Sequence, residues 1–124
     1  MRLGFAAFSA QGYALAQRLA QVLGGTATRC GVDCPLRDWI REAFSRYEGL
    51  VFVGAVGIAV RAIAPYVQSK TTAPVVVVVD EGGRFVIPLL SGHLGGANGL
   101  AHRIAAVSQS QCLKCMAPFL QLRT

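Results

Sequence analysis

The chain has 124 residues, 53% hydrophobic and 15% charged, with twelve Lys and Arg against six Asp and Glu, for a net charge of +6. That length suits one domain with a substantial core, and the apolar content excludes disorder as a description of the whole. The longest apolar run, Leu50 to Val60, is broken by Gly54 and Gly57 and falls well short of the roughly 20 residues of a membrane span. In chain order, Arg2 to Phe8 reads as a buried strand. Ser9 offers an N-cap to a helix over Ala10 to Leu23, whose apolar face is Leu15, Leu19, Val22 and Leu23. Gly24-Gly25 ends it. Ala27 to Val32 suits a short second strand. Pro35 opens a helix to about Tyr47, with Trp39, Ile40 and Phe44 inward. Leu50 to Val53 is an all-apolar strand, and a helix over about Val56 to Ala64 stops near Pro65. Val75 to Asp80 carries five consecutive valines, the pattern of a central strand buried on both faces. Glu81-Gly82-Gly83-Arg84 is a tight turn, and Phe85 to Leu90 returns as a strand, which predicts a local antiparallel hairpin. A last helix runs from about Gly95 to Ala106. Ser108 to Thr124 shows no clear period and receives no element.

The alternation β-α-β-α-β-α-β-β-α predicts a three-layer α/β/α sandwich around a mostly parallel sheet with a local antiparallel hairpin, a Rossmann-like α/β fold. Residues 1–107 are expected to form the domain and 108–124 an atypical tail. Ligands of such folds sit at the carboxyl ends of the strands. Three loops are expected to gather there: Ser9 to Gly12, Gly54 to Gly57, and Ser91 to Gly96.

The densest chemistry lies in Leu89-Leu90-Ser91-Gly92-His93-Leu94-Gly95-Gly96-Ala97-Asn98. A Ser and a His at a glycine-rich strand-to-helix junction can serve as oxygen-positioning group and base. The plainer alternative is that Ser91 caps the helix, the glycines permit close packing, and His93 is a hydrogen-bonded loop residue. Arg61 stands in an otherwise apolar or small helix, one turn after Gly57, so it must reach solvent, an ion partner or a ligand. Asp80-Glu81 ends the valine strand, where local turn hydrogen bonding outweighs a functional reading. Asn98 and His102 share one helical face. Cys30-x-x-x-Cys34 and Cys112-x-x-Cys115 could supply four thiolates to zinc, but the first spacing is loose, and free thiols are the simpler reading.

The basic side chains are dispersed, without clusters or aromatic interleaving, so nucleic acid is not the expected partner. A small polyanion suits the balance, because separated cations can each meet one carboxylate. The start, Met1-Arg2-Leu3-Gly4-Phe5, moves straight into a strand pattern without a small-residue cleavage site, so a cytoplasmic protein is expected.

Three segments resemble one family in the expected order. They are Gly49 to Pro65, Pro74 to Arg84, and Leu89 to Asn98 with the following Leu100 to Ala105. Across Arg2 to Ala106 the chain resembles the amino-terminal domain of the cobalamin-biosynthesis protein CbiG, the cobalt-precorrin-5A hydrolase. The resemblance implies opening of the δ-lactone of a cobalt-bearing corrinoid, with release of a two-carbon fragment as acetaldehyde. It also implies an anionic corrinoid substrate that carries its own cobalt, with no separate cofactor and no metal held by the protein. Within that reading His93 and Ser91 are the candidate catalytic residues. Gly57, Arg61, Arg84, Gly92, Gly95, Gly96 and Asn98 are the candidate substrate contacts, with Lys70 and Arg103 as further scattered cations. Family members continue into further domains, from which Ser108 to Thr124 departs, so a truncated chain is expected. A non-catalytic corrinoid-binding or folding module is the main alternative, and a zinc-binding interaction domain the lesser one.

Overall fold

A computed structural model describes residues 1–67, 74–91, 96–109 and 111–112, with backbone alone at 91, 111 and 112. The elements are β1 (Leu3–Ala7), α1 (Ala10–Leu23), β2 (Thr26–Arg29), α2 (Leu36–Arg46), β3 (Gly49–Val53), α3 (Val56–Ile63), a 3-10 turn (Ala64–Tyr66), β4 (Val75–Val79), β5 (Phe85–Ser91), α4 (Ala97–Ser108) and β6 (Gln111–Cys112). One six-stranded sheet runs in the order β2-β1-β3-β4-β5-β6. β1 to β4 are mutually parallel. β5 returns antiparallel to β4, and β6 runs parallel to β5.

Every residue of β1, β3 and β4 is buried, as an inner strand covered on both faces requires. Alternate side chains feed two cores. Leu3, Phe5, Val51, Val53, Val77 and Val79 pack under α1 and α4 through Leu15, Leu19, Leu100 and Ile104. Ala6, Leu50, Phe52, Val76 and Val78 pack under α2 and α3 through Trp39, Ile40, Ala59 and Ile63. The expected sandwich with a mostly parallel sheet and one antiparallel hairpin is therefore the observed fold.

The details differ in places. β2 is a short edge strand ending at Arg29, and Cys30 continues only as an isolated bridge to Cys34. Val22, expected on the inward face of α1, is 60% exposed, while Leu23 beside it packs against the core, because the inward face is centred on Gly12, Ala16 and Leu19 and Val22 falls beyond its margin. Pro35 is the N-cap of α2 and not its first residue. α3 ends at Ile63, within a residue of the expected stop near Pro65, and a 3-10 turn over Ala64–Tyr66 follows it. α4 begins at Ala97 and reaches Ser108, closed by Gln109 in the left-handed conformation. Two residues of the segment given no element, Gln111 and Cys112, add a sixth strand. Among the described residues, no helix is long and apolar enough to cross a membrane.

Candidate functional site

β1 and β3 are neighbours whose following helices, α1 and α3, cover opposite faces. This is the reversal of winding at which open α/β sheets leave a crevice beyond the strand ends. The loops there are built from short residues. Ser9 caps α1 by accepting from the Gly12 N–H at 3.0 Å. The same hydroxyl donates to Glu81 Oε2 at 2.6 Å, so the turn after β4 reaches across β3 to the start of α1. A Cβ on Gly12 would lie 3.3 Å from the Val53 carbonyl oxygen, so glycine sets how closely α1 approaches β3. The hairpin turn closes through Gly83 N–H to the Asp80 carbonyl at 2.7 Å and Asp80 N–H to the Phe85 carbonyl at 3.0 Å, with Gly83 at φ 72°. Asp80 thus serves the turn, in line with the local reading, whereas the Glu81 carboxylate is turned to Ser9 at the start of α1.

Gly57 is exposed in the first turn of α3, with open space where a Cβ would project. The Arg61 side chain folds back to the Gly57 carbonyl, Nε to O 3.4 Å. Arg84 is exposed, holds Asp80 Oδ2 at 3.2 Å and lies 5.9 Å from the Phe85 ring centre. A cleft of about 330 Å³ opens here, lined by Gly54, Ala55, Val56, Val78, Asp80, Phe85 and Ile87.

The expectation that Ser91 to Gly96 joins this edge is overturned. β5 runs antiparallel, so its last residue, Ser91, lies opposite Val75, the first residue of β4. Gly96 packs beside Val75 and Met1, where a Cβ would meet Val75 Cγ2 at 3.5 Å and Met1 Cε at 3.7 Å. Both positions are at the amino edge of the parallel strands. Five-residue strands separate the two edges by roughly 16 Å. Gly57, Arg61 and Arg84 therefore cannot share one small pocket with Ser91 and Gly96. Ser91 does not cap α4 either: Gly96 is the N-cap, with no side-chain hydrogen bond. Asn98 is exposed in the first turn of α4, and His102 is exposed one turn on, so their common face is not a packing face. Gly92, His93, Gly95 and Lys70 lie outside the described residues.

Cys30 is buried and Cys34 half-buried, and the two thiols hydrogen-bond to one another. Burial, with Cys34 and Asp33 nearby, pushes the Cys30 thiol up to about 12. Burial and the carboxylates Asp33, Asp38 and Glu42 raise Cys34 as well. Among the described residues, no group of three or more His, Cys, Asp or Glu converges as a metal site. Cys115 lies outside those residues, and only the backbone of Cys112 is described.

Two features went unread in the sequence. The Ser9–Glu81 bond joins residues 72 positions apart, and Ser9 was expected as a cap and as the start of an edge loop, with no sign of this partner. A second cavity, about 390 Å³, lies between α2 and α3 and is lined by Leu36, Arg37, Ile40, Ile58, Arg61, Ala62, Pro65 and Tyr66. The apolar spacing of Leu36 and Ile40 was a signal for one wall, but only packing shows which helix faces it.

Fold and loops together define a doubly wound α/β protein with glycine-rich junctions at both ends of its sheet. Residues 38–117 match the family described as cobalamin synthesis G N-terminal, and the chain belongs to that family. The match passes through all three motif segments and beyond the boundary expected at 107. Over 108 residues the chain is 45% identical to the cobalt-precorrin-5A hydrolase of Salmonella typhimurium, covering 77% of this chain and 30% of that one. It is 49% identical over 71 residues to the cobalt-precorrin-5A hydrolase of Priestia megaterium, covering 57% and 19%. The crystal structure of a cobalamin biosynthesis protein G homologue from Sulfolobus solfataricus superposes with a TM-score of 0.78 at 26% identity, over 90% of this chain and 36% of that one. The chain thus spans less than a third of the curated relatives it matches.

Proposed function

We propose that this chain is the amino-terminal part of a cytoplasmic cobalt-precorrin-5A hydrolase that opens the δ-lactone of a corrinoid intermediate and releases acetaldehyde. The observation carrying this reading is that the family match, residues 38–117, spans Gly49 to Pro65, Pro74 to Arg84 and Leu89 to Asn98. The substrate brings its own cobalt, and the protein supplies no cofactor.

Lactone opening adds water to the acyl carbon and breaks the acyl–oxygen bond, leaving a carboxylic acid and an alcohol; the alcohol then loses its hydroxyl proton as the bond from its carbon to the macrocycle breaks, which frees acetaldehyde, and the macrocycle carbon takes up a proton. The step needs a base for the water and stabilisation of the tetrahedral oxyanion. His93 is the candidate base, and Ser91 the group that positions the oxygen. Gly92, Gly95, Gly96 and Asn98 are the candidate lactone contacts; of these, Gly96 and Asn98 lie where α4 begins, an end whose first N–H groups favour negative charge. Ser91 and Gly96 lie at the amino edge of the parallel strands, the opposite edge from Gly57 and Arg84, so this reading separates the lactone chemistry from those candidate contacts. The dispersed basic side chains, without clusters, suit the separate carboxylates of an anionic corrinoid better than nucleic acid.

One observation favours a second reading. The chain covers 30% and 19% of the two relatives, so it could bind the corrinoid while chemistry rests on the remaining length. Incubation with the lactone intermediate, followed by trapping of acetaldehyde, separates the two. Release by the chain alone, abolished in His93→Ala, supports the hydrolytic reading. Binding without release supports the binding module, and neither binding nor release sinks both.

A further inference from the structure

The groove between α2 and α3 has the composition of an amphipathic anion site. Its floor and walls are Leu36, Ile40, Ile58 and Ala62, and the Tyr66 ring stands at one side. Tyr66 is held by stacking on Phe44, ring centres 5.5 Å apart. The groove therefore has a fixed aromatic wall.

Two arginines, Arg37 and Arg61, are among the residues lining this apolar surface. Arg37 has 86% of its side chain exposed and meets Asp38 only at 4.0 Å, while Asp38 is engaged more closely by Arg41 at 3.1 Å. The Arg61 guanidinium is exposed, and its Nε rests on the Gly57 carbonyl at 3.4 Å, a long contact that leaves its terminal nitrogens to other acceptors. No acidic side chain lines the groove. Arginines on an apolar trough select a ligand with a greasy body and carboxylates at its margin, since each guanidinium can grip one carboxylate in bidentate fashion.

We infer that the α2–α3 groove seats the edge of an anionic corrinoid, its apolar rim on Ile40, Ile58 and Tyr66 and two of its carboxylate arms on Arg37 and Arg61. The inference rests on the corrinoid reading above and gives Arg61 a different place from the lactone chemistry. The substrate would be gripped on a helical face while its reacting end is handled elsewhere, by the amino edge or by the remaining length of the longer relatives.

Titration with dicyanocobyrinic acid, which bears free carboxylates on a corrin ring, tests this through Trp39. That residue is the single tryptophan of the chain and lies on α2 next to Ile40. Saturable quenching is expected, weakened roughly tenfold or more in Arg37→Gln/Arg61→Gln as charge-assisted bonds are lost. The fully esterified corrinoid should bind as weakly as the acid does to that variant. Both side chains are exposed, so circular dichroism should show the variant folded. Unchanged affinity in the double variant, or equal binding of ester and acid, overturns the inference. If the double variant binds normally while His93→Ala or Asn98→Ala does not, the corrinoid reading stands and the groove assignment falls. Absence of any corrinoid binding removes the groove assignment, and acetaldehyde release then decides the hydrolase reading independently.

Discussion

Ser9 donates its hydroxyl hydrogen to Glu81 across 2.6 Å while accepting from the Gly12 N–H, so one oxygen ties the first helix to the only hairpin among the described residues. Replacing Ser9 by Ala removes the cap and should lower stability by about 1 kcal/mol. Glu81→Ala removes an exposed partner and should cost only a few tenths of a kcal/mol. Urea denaturation of both single variants and the double variant checks this. Full additivity would show that the Ser9–Glu81 bond contributes nothing of its own.

Gly25 and Gly57 should respond in opposite directions. At Gly25, φ is 127° and a Cβ would lie 2.5 Å from the Leu3 carbonyl oxygen, so Gly25→Ala should cost about 2 kcal/mol or more. Gly57 lies in α3 with open space around it, so Gly57→Ala should stabilise by about 0.5 kcal/mol. If a substrate backs onto Gly57, the same variant should bind corrinoid more weakly while melting higher. Thermal melts and ligand titration of one protein sample read both quantities.

Phe52 and Val22 test the layer assignment. Phe52 is wholly buried and meets Trp39 edge-on, ring centres 5.8 Å apart. Phe52→Ala should cost about 3–5 kcal/mol through the cavity it leaves. Val22 is 60% exposed, so Val22→Ser should change stability by no more than about 0.5 kcal/mol. A large loss at Val22 would place it in the core after all.

Cys30 should make the fold sensitive to alkali. In the folded chain its thiol keeps its proton up to about pH 12, against an ordinary value of 9.0. Between those values the unfolded chain binds fewer protons, so stability falls as pH rises through that window and is unaffected below it. The urea midpoint should drop more between pH 8 and pH 10.5 in the parent than in Cys30→Ala. Equal drops would refute the assignment. In native protein Cys34, less buried than Cys30, should be alkylated first.

The sandwich was legible because its signals are local. Five valines in a row need two covered faces, and the Leu15–Leu19 and Trp39–Ile40 spacings each mark one helical side. The short turn at Glu81 to Arg84 also held more than was drawn from it: a strand that returns antiparallel must end at the opposite edge from its parallel neighbours. That single step moves Ser91 away from Gly57.

By itself the sequence determined the element order, the buried strands, the antiparallel hairpin and the family motifs, since each depends on neighbours within a few residues. Only the tertiary structure decided which motifs share an edge, that Glu81 reaches Ser9, and that Arg37 and Arg61 flank one groove. Those relations depend on strand order and helix packing over dozens of residues, and no local preference carries that information.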